Sequence, residues 1–442
     1  MKTKTFRLAP LFVGLALVAA ACGGGASPSP SASAQASASA AASQPALSDA
    51  PSASAPSASA SGDASAAPSA SAAAALEGEI TLWHSYGSGG GETGALNTVL
   101  DSVRAAHPGL NIEVVEQPFD QIFIKWRTDI AAGGGPDMFI APNDSLGQDA
   151  REESLMSLDD FLVDNPALEG YQQVAIDGSK VDGVFYMVPE SLKAVALWYD
   201  SSAIAEPPTT HEELLAGVED GTITLGVNQG VYHQFGWTGA FGGDLMDDGG
   251  RCIADQAGFT EAFAYLKSLK DAGAVFNTDG GALKSQFQTK ELNALIDGPW
   301  QTADFRTALG DDLAVAPMPD GAAGPGNPFT GTDGWYINPN LEPDQAQLAV
   351  DVALALTSPE AMQVFVDDAG HVPANPAVSI SDDITQGFAD AAEAGLPRPQ
   401  NEQFGQWWTP FGDALNKVMD ADADPATAIA EACATMNEAN GL

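Results

Sequence analysis

Basic residues are scarce in this chain of 442 residues: 17 Lys and Arg stand against 59 Asp and Glu, a formal net charge of −42. So acidic a surface repels phosphate backbones and anionic headgroups, which excludes nucleic acid and a charged membrane surface as partners. Cysteine is nearly absent, and Cys22, Cys252 and Cys433 lie too far apart for a zinc or redox motif. The five histidines form no His-Glu-x-x-His pattern. The glycine-rich run at 87–91 lacks both a Lys-Ser/Thr ending and a GxGxxG register, so it reads as a flexible ligand-facing loop and not as a phosphate cradle. An acidic stretch, Asp420-Ala-Asp-Ala-Asp424, starts like a calcium loop, but Pro425 stands where that loop needs Gly. No metal, cofactor or catalytic residue is expected.

What is present begins with a leader. Lys2, Lys4 and Arg7 precede an apolar run, residues 8–21, too short to span a bilayer comfortably. Val18-Ala-Ala-Ala-Cys22 looks like a bacterial lipoprotein cleavage box, with Ala19 where Leu is usual. Residues 1–21 are read as a signal peptide and Cys22 as the lipid-bearing residue that tethers the protein to the membrane. Several acyl chains on one cysteine would anchor it stably, each buried CH₂ adding roughly 0.8 kcal/mol. A plain secretory signal cut near Cys22 is the alternative. Up to residue 75 the chain is almost only Ser, Ala, Pro and Gly without one aromatic, which predicts a disordered linker with a span of about 40 Å.

The body alternates strands and helices. A strand at 80–83 ends at His84 and Ser85. A helix at 92–107 carries Leu96, Val99, Leu100 and Val103 on one face, and further strands follow at 111–115 and up to residue 140. This order predicts an α/β fold with open sheets, whose ligands bind beyond the carboxyl ends of strands. His84, Ser85, Asn143 and Asp144 fall at such ends. Within residues 292–339, Trp300 and Trp335 stand where apolar runs meet Gly and Pro, either lining a cleft or capping the core.

Asp297-Gly-Pro-Trp300, the segment Pro328-Phe-Thr-Gly, the strand Trp335-Tyr-Ile-Asn-Pro339 and the turn Gly134-Gly-Pro-Asp-Met-Phe139 together resemble the maltose-type extracellular solute-binding proteins of sugar ABC transporters. The resemblance runs from residue 79 to the end of the chain. It implies a two-lobed, periplasmic-binding-protein-like fold, each lobe an open mixed sheet flanked by helices, with the ligand cleft between them. Lobe I would hold 76–191 and 320–370; lobe II would hold 192–319 and 371–442. The resemblance also implies a carbohydrate ligand, a membrane permease as partner and a monomer on the extracellular face of the membrane.

By the same register Asp144 matches a ligand-binding Asp, while Ala141 and Ser145 replace the family's stacking Trp and binding Arg. Lys193 stands near a binding Glu, as either a hydroxyl ligand or a solvated rim charge. Tyr232, Trp237 and Trp408 join Trp300 and Trp335 as candidate sugar contacts. Cys252 and Cys433 both fall in lobe II, where an exported protein allows a disulfide. Other solutes, such as a polyamine or a peptide, and a surface-anchored glycosidase using two carboxylates remain rival functions.

Overall fold

The structure, a computed structural model, describes residues 75–87 and 90–442. The expected signal peptide, the anchor Cys22 and the linker up to residue 74 lie outside the described residues, as do Ser88 and Gly89 of the glycine-rich loop.

Fourteen strands occur among the described residues: β1 (Glu77–His84), β2 (Gly109–Glu116), β3 (Met138–Pro142), β4 (Lys180–Val181), β5 (Val184–Phe185), β6 (Val188–Lys193), β7 (Ala196–Asp200), β8 (Leu225–Asn228), β9 (Val275–Asn277), β10 (Ala294–Asp297), β11 (Leu313–Ala316), β12 (Phe329–Ile337), β13 (Val372–Pro373) and β14 (Leu396–Pro397). The first sheet runs β13-β6-β12-β3-β1-β2, with β14 beside β12; the second runs β11-β7-β10-β8-β9. Both sheets are mixed. In the first, β1 is parallel to β2 and β3, while β12 runs antiparallel to β3 and β6. In the second, β8 is parallel to β9 and β10, and β7 is antiparallel to β10 and β11.

Each sheet carries its own core, as an apolar face must be buried. Leu96, Val99, Leu100 and Val103 of the helix Gly91–Ala106 pack with Ile80, Leu82 and Ile112 in the first lobe. Leu225, Val227 and Ile296 meet Phe259, Phe263 and Leu415 in the second. Full burial of each such side chain stabilises the fold by about 1.5–3 kcal/mol. A disulfide joins Cys252 to Cys433 on the final helix, Pro425–Ala439, across a sequence separation of 181.

The chain leaves the first sheet at Lys193, the end of β6, and enters the second at Ala196, the start of β7. It returns between β11 and β12. Leu192 pairs with Thr332 and Val372, and Lys193 with Gly331, inside the first sheet. Backbone pairing holds residues 192–193, 372–373 and 396–397 in the first sheet, whereas the expected first lobe ended its segments at 191 and 370.

Candidate functional site

A cleft of about 860 Å³ opens between the lobes. Strand ends deliver a large part of its lining. Ser85 and Tyr86 follow β1, and Pro142 and Asp144 lie at the end of β3. Asn228 closes β8 and Asp297 closes β10. The carboxyl ends of parallel strands from both sheets thus meet at one place, as open α/β sheets dictate.

Tyr232, Trp300 and Trp408 form an aromatic wall on the second lobe. Tyr232 and Trp300 have ring centroids 6.2 Å apart, and His233 sits edge-on to Trp300 at 6.0 Å. Trp300 is fixed by the turn that follows β10. Gly298 donates its N–H to the Asp297 carboxylate at 2.8 Å, and its carbonyl accepts the Trp198 indole N–H at 3.2 Å. The Trp300 ring lies so close to Gly298 that an added Cβ would come within 2.1 Å of it, so a side chain there would displace the ring.

The cleft floor is charged and tightly paired. The Lys193 ammonium lies 2.6 Å from Glu92 and 2.9 Å from Asp333. Behind it the fully buried His371 bridges Glu92 at 2.9 Å and Glu190 at 2.9 Å. Glu190 is free for this role because the register between β12 and β6 slips at Asp333/Gly334, passing from Pro189 to Ser191. Such bulges re-aim side chains near sites.

Electrostatics follow from the pairing. Burial alone would raise the Glu92 pKa, but Lys193 and His371 bring it down to about 2. Burial opposes charge on His371 as well, yet Glu190 lifts its pKa to about 9. Burial also works against Lys193, but Asp333 and Glu92 hold its pKa above the ordinary lysine value. Burial dominates at Asp333 and its pKa rises: Lys193 works against the rise, but Asp333 has no hydrogen bond from His371 and the Glu92 charge adds to it.

Arg398 completes the site from far along the chain. It ion-pairs with Asp144, donates to Asn143 Oδ1 at 3.1 Å, and lies 5.2 Å from the Tyr232 ring centroid. Gly331 leaves it room, since a Cβ there would come within 2.9 Å of the guanidinium. Burial, helped by the nearby Asp144 and Asp333 charges against Arg398, pushes the Tyr232 hydroxyl to about 12, so it stays a neutral phenol.

Of the residues singled out in the sequence, Ser85, Asp144, Lys193, Tyr232, Trp300 and Trp408 come together at the cleft. The others do not line it. Trp335 is fully buried in the first lobe's core because β12 is flanked by strands on both sides and covered on both faces. Trp237 is fully buried against Tyr265, on the inward side of a short helix. Asn143 faces the fold, accepting from Thr332 N and donating to the Gly178 carbonyl. His84 is buried and accepts the Tyr86 N–H at 3.3 Å, shaping the strand end. Lys193 is 7% exposed, which removes the solvated-rim alternative.

Sequence reasoning missed Glu92, Asp333, Arg398 and His371. Arg398 had a signal: a rare base between Pro397 and Pro399. Glu92 and Lys193, 101 positions apart, had none.

Residues 98–393 match the family model described as bacterial extracellular solute-binding protein. A maltotriose-binding protein of Pyrococcus abyssi is 24% identical over 376 residues, 80% of this chain and 80% of that protein. A galactooligosaccharide-binding protein of Bacillus subtilis is 24% identical over 368 residues, 77% of this chain and 86% of that protein. In fold, the chain is similar to a Thermus thermophilus maltotriose-binding protein bound with maltotriose (TM-score 0.73, 24% identity, covering 82% of this chain and 100% of that one). It is likewise similar to a maltose/maltodextrin-binding domain from Bdellovibrio bacteriovorus bound to maltotriose (TM-score 0.74, 21% identity, 82% and 100%).

Proposed function

The chain belongs to the family of bacterial extracellular solute-binding proteins, and from that premise we propose that it captures a di- or oligosaccharide between its lobes and delivers it to an ABC transporter permease. The observation that carries this reading is the makeup of the cleft. Tyr232, Trp300 and Trp408 offer flat apolar faces, and Asp144, Lys193, Asp333 and Arg398 stand in the same cavity. A pyranose needs both: its C–H faces stack on aromatic rings, and its hydroxyls need donors and acceptors once water is excluded. The oligosaccharide-binding relatives support the same ligand class.

Capture, not turnover, is the role. A glycosidase needs one carboxylic acid poised to give up a proton and a second free to attack or to activate water. Here Glu92 and Asp333 share Lys193, Asp144 pairs with Arg398, and Asp304 pairs with Lys284. Asp297 is engaged by Gly298 N, by the Gln301 amide at 3.2 Å and by His233 at 3.4 Å. Carboxylates held this way orient hydroxyls; they are not set to exchange protons. Binding would close the lobes about the crossing strands. The monomer sits on the extracellular face, tethered through Cys22 and its linker.

The test is sugar-induced quenching of tryptophan fluorescence in wild type, Trp300→Ala and Trp408→Ala. Each substitution is expected to weaken oligosaccharide binding more than about tenfold, the loss of a stacked ring and its buried area. Unchanged affinity in both variants would sink this assignment of the cleft.

A further inference from the structure

We propose that Phe119 forms an outer sugar-binding subsite on the first lobe, one that makes the protein select longer oligosaccharides over disaccharides. The proposal rests on the reading of the cleft as an oligosaccharide site.

Phe119 opens the helix Phe119–Ala131 and lines the cleft. It is 51% exposed, and among the described residues it is the only aromatic in the set of exposed large hydrophobics. It is nonetheless held in place. Its ring meets Phe123 edge-on at 6.0 Å, and Phe123 meets the fully buried Phe139 edge-on at 6.2 Å. A ladder of aromatic contacts therefore runs from the core to the cleft rim. Pro118 before it, at φ −58°, stiffens the backbone there.

A fixed, half-exposed phenyl ring leaves apolar surface in water that a stacked partner would remove. The other first-lobe ring at the cleft is already engaged: Tyr86 packs near Phe365 at 6.2 Å and His371 at 6.1 Å, with the Lys193 ammonium 5.7 Å away. Ser85, Ala141 and Pro142 complete much of that side without an aromatic face. Phe119 is thus the first-lobe ring open to a ligand, and it belongs to the lobe opposite the Tyr232, Trp300 and Trp408 wall. Rings stacked on that wall fill the inner cleft. Phe119 is exposed at 51% whereas Tyr232, Trp300 and Trp408 are only partly so, which sets it toward the rim, where a sugar chain continuing outward from the wall would meet it and a short one would not.

The experiment is calorimetric titration of wild type, Phe119→Ala and Phe119→Trp with malto- and galacto-oligosaccharides of two, three and four rings. Wild type is expected to bind the longer chains more tightly. Phe119→Ala is expected to lose about fivefold in affinity for them, leave the disaccharides unchanged, and so flatten the length preference; Phe119→Trp is expected to retain it. A loss that is equal at every length, or no loss at all in a wild type that binds, overturns the subsite and leaves the cleft assignment standing. A wild type that binds none of these sugars overturns both.

Discussion

His371 should make the stability of this protein fall as pH rises through the mildly alkaline range. Its imidazole is fully buried, stacked at 5.0 Å on Phe365, and faced by Glu190, Glu92, Lys193 and Asp333. Burial disfavours its charge, but the paired carboxylates prevail and set its folded pKa at about 9, against an ordinary 6.5. Below pH 6.5 both folded and unfolded chains carry the proton and the stabilisation is complete. Between pH 6.5 and 9 the unfolded chain has released it while the folded chain retains it. Stability then declines by up to ~1.4 kcal/mol per pH unit, about 3 kcal/mol in all. Glu92 works the other way: its depressed pKa of about 2 contributes stability above pH 4.5 that is lost as pH falls through 2. Urea unfolding followed by tryptophan fluorescence at intervals from pH 5 to 10 measures the His371 limb, and a second series from pH 2 to 5 measures the Glu92 limb. Wild type should lose stability from pH 6.5 to 9, and His371→Gln should be nearly flat over that window. A flat wild-type profile, or an equal slope in His371→Gln, would refute the charge assignment of the cleft floor.

Two further outcomes follow from the same packing. Replacing Cys252 and Cys433 by Ser should destabilise the protein by roughly 5 kcal/mol, because the bond closes a loop across 181 positions; a shift in urea midpoint with unchanged sugar affinity is the expected signature. Arg398→Met should remove about 3 kcal/mol of stability by stranding Asp144, and should weaken sugar binding as Tyr232 loses the cation beside its ring; equal affinity in calorimetry would assign Arg398 to structure alone.

The two-lobed α/β architecture was legible in the chain because local patterns carry it. The helix at 92–107 shows its buried stripe directly, and its observed span is Gly91–Ala106. The cleft was legible in part, where strand ends mark it: Ser85, Asp144 and Trp300 each follow a strand end. Tryptophan position alone did not decide the rest. Trp335 follows Gly334 and Trp300 follows Gly298-Pro299, both next to apolar runs, yet Trp335 lies within a strand paired on both edges, and Trp300 lies in the turn beyond one. Adjacent Trp407 and Trp408 differ likewise, the first buried in the core and the second on the cleft: Trp407 caps the start of the helix Trp408–Ala421, and Trp408 opens it. Of the charge cluster only Lys193 was legible. Glu92, Glu190, Asp333 and His371 come from segments far apart in the chain. The pairing of β6 with β12 and β13 in the first sheet gathers Glu190, Asp333 and His371 around it, and Glu92 reaches it from the helix Gly91–Ala106.

The most direct measurement is calorimetric titration of the wild-type protein with maltotriose and with a galactotriose, followed by chromatography of the recovered sugar. Saturable binding of one molecule per chain, with the sugar returned intact, is the expected result. No heat with any oligosaccharide, or a sugar recovered shortened, would contradict capture of an oligosaccharide in the interlobe cleft.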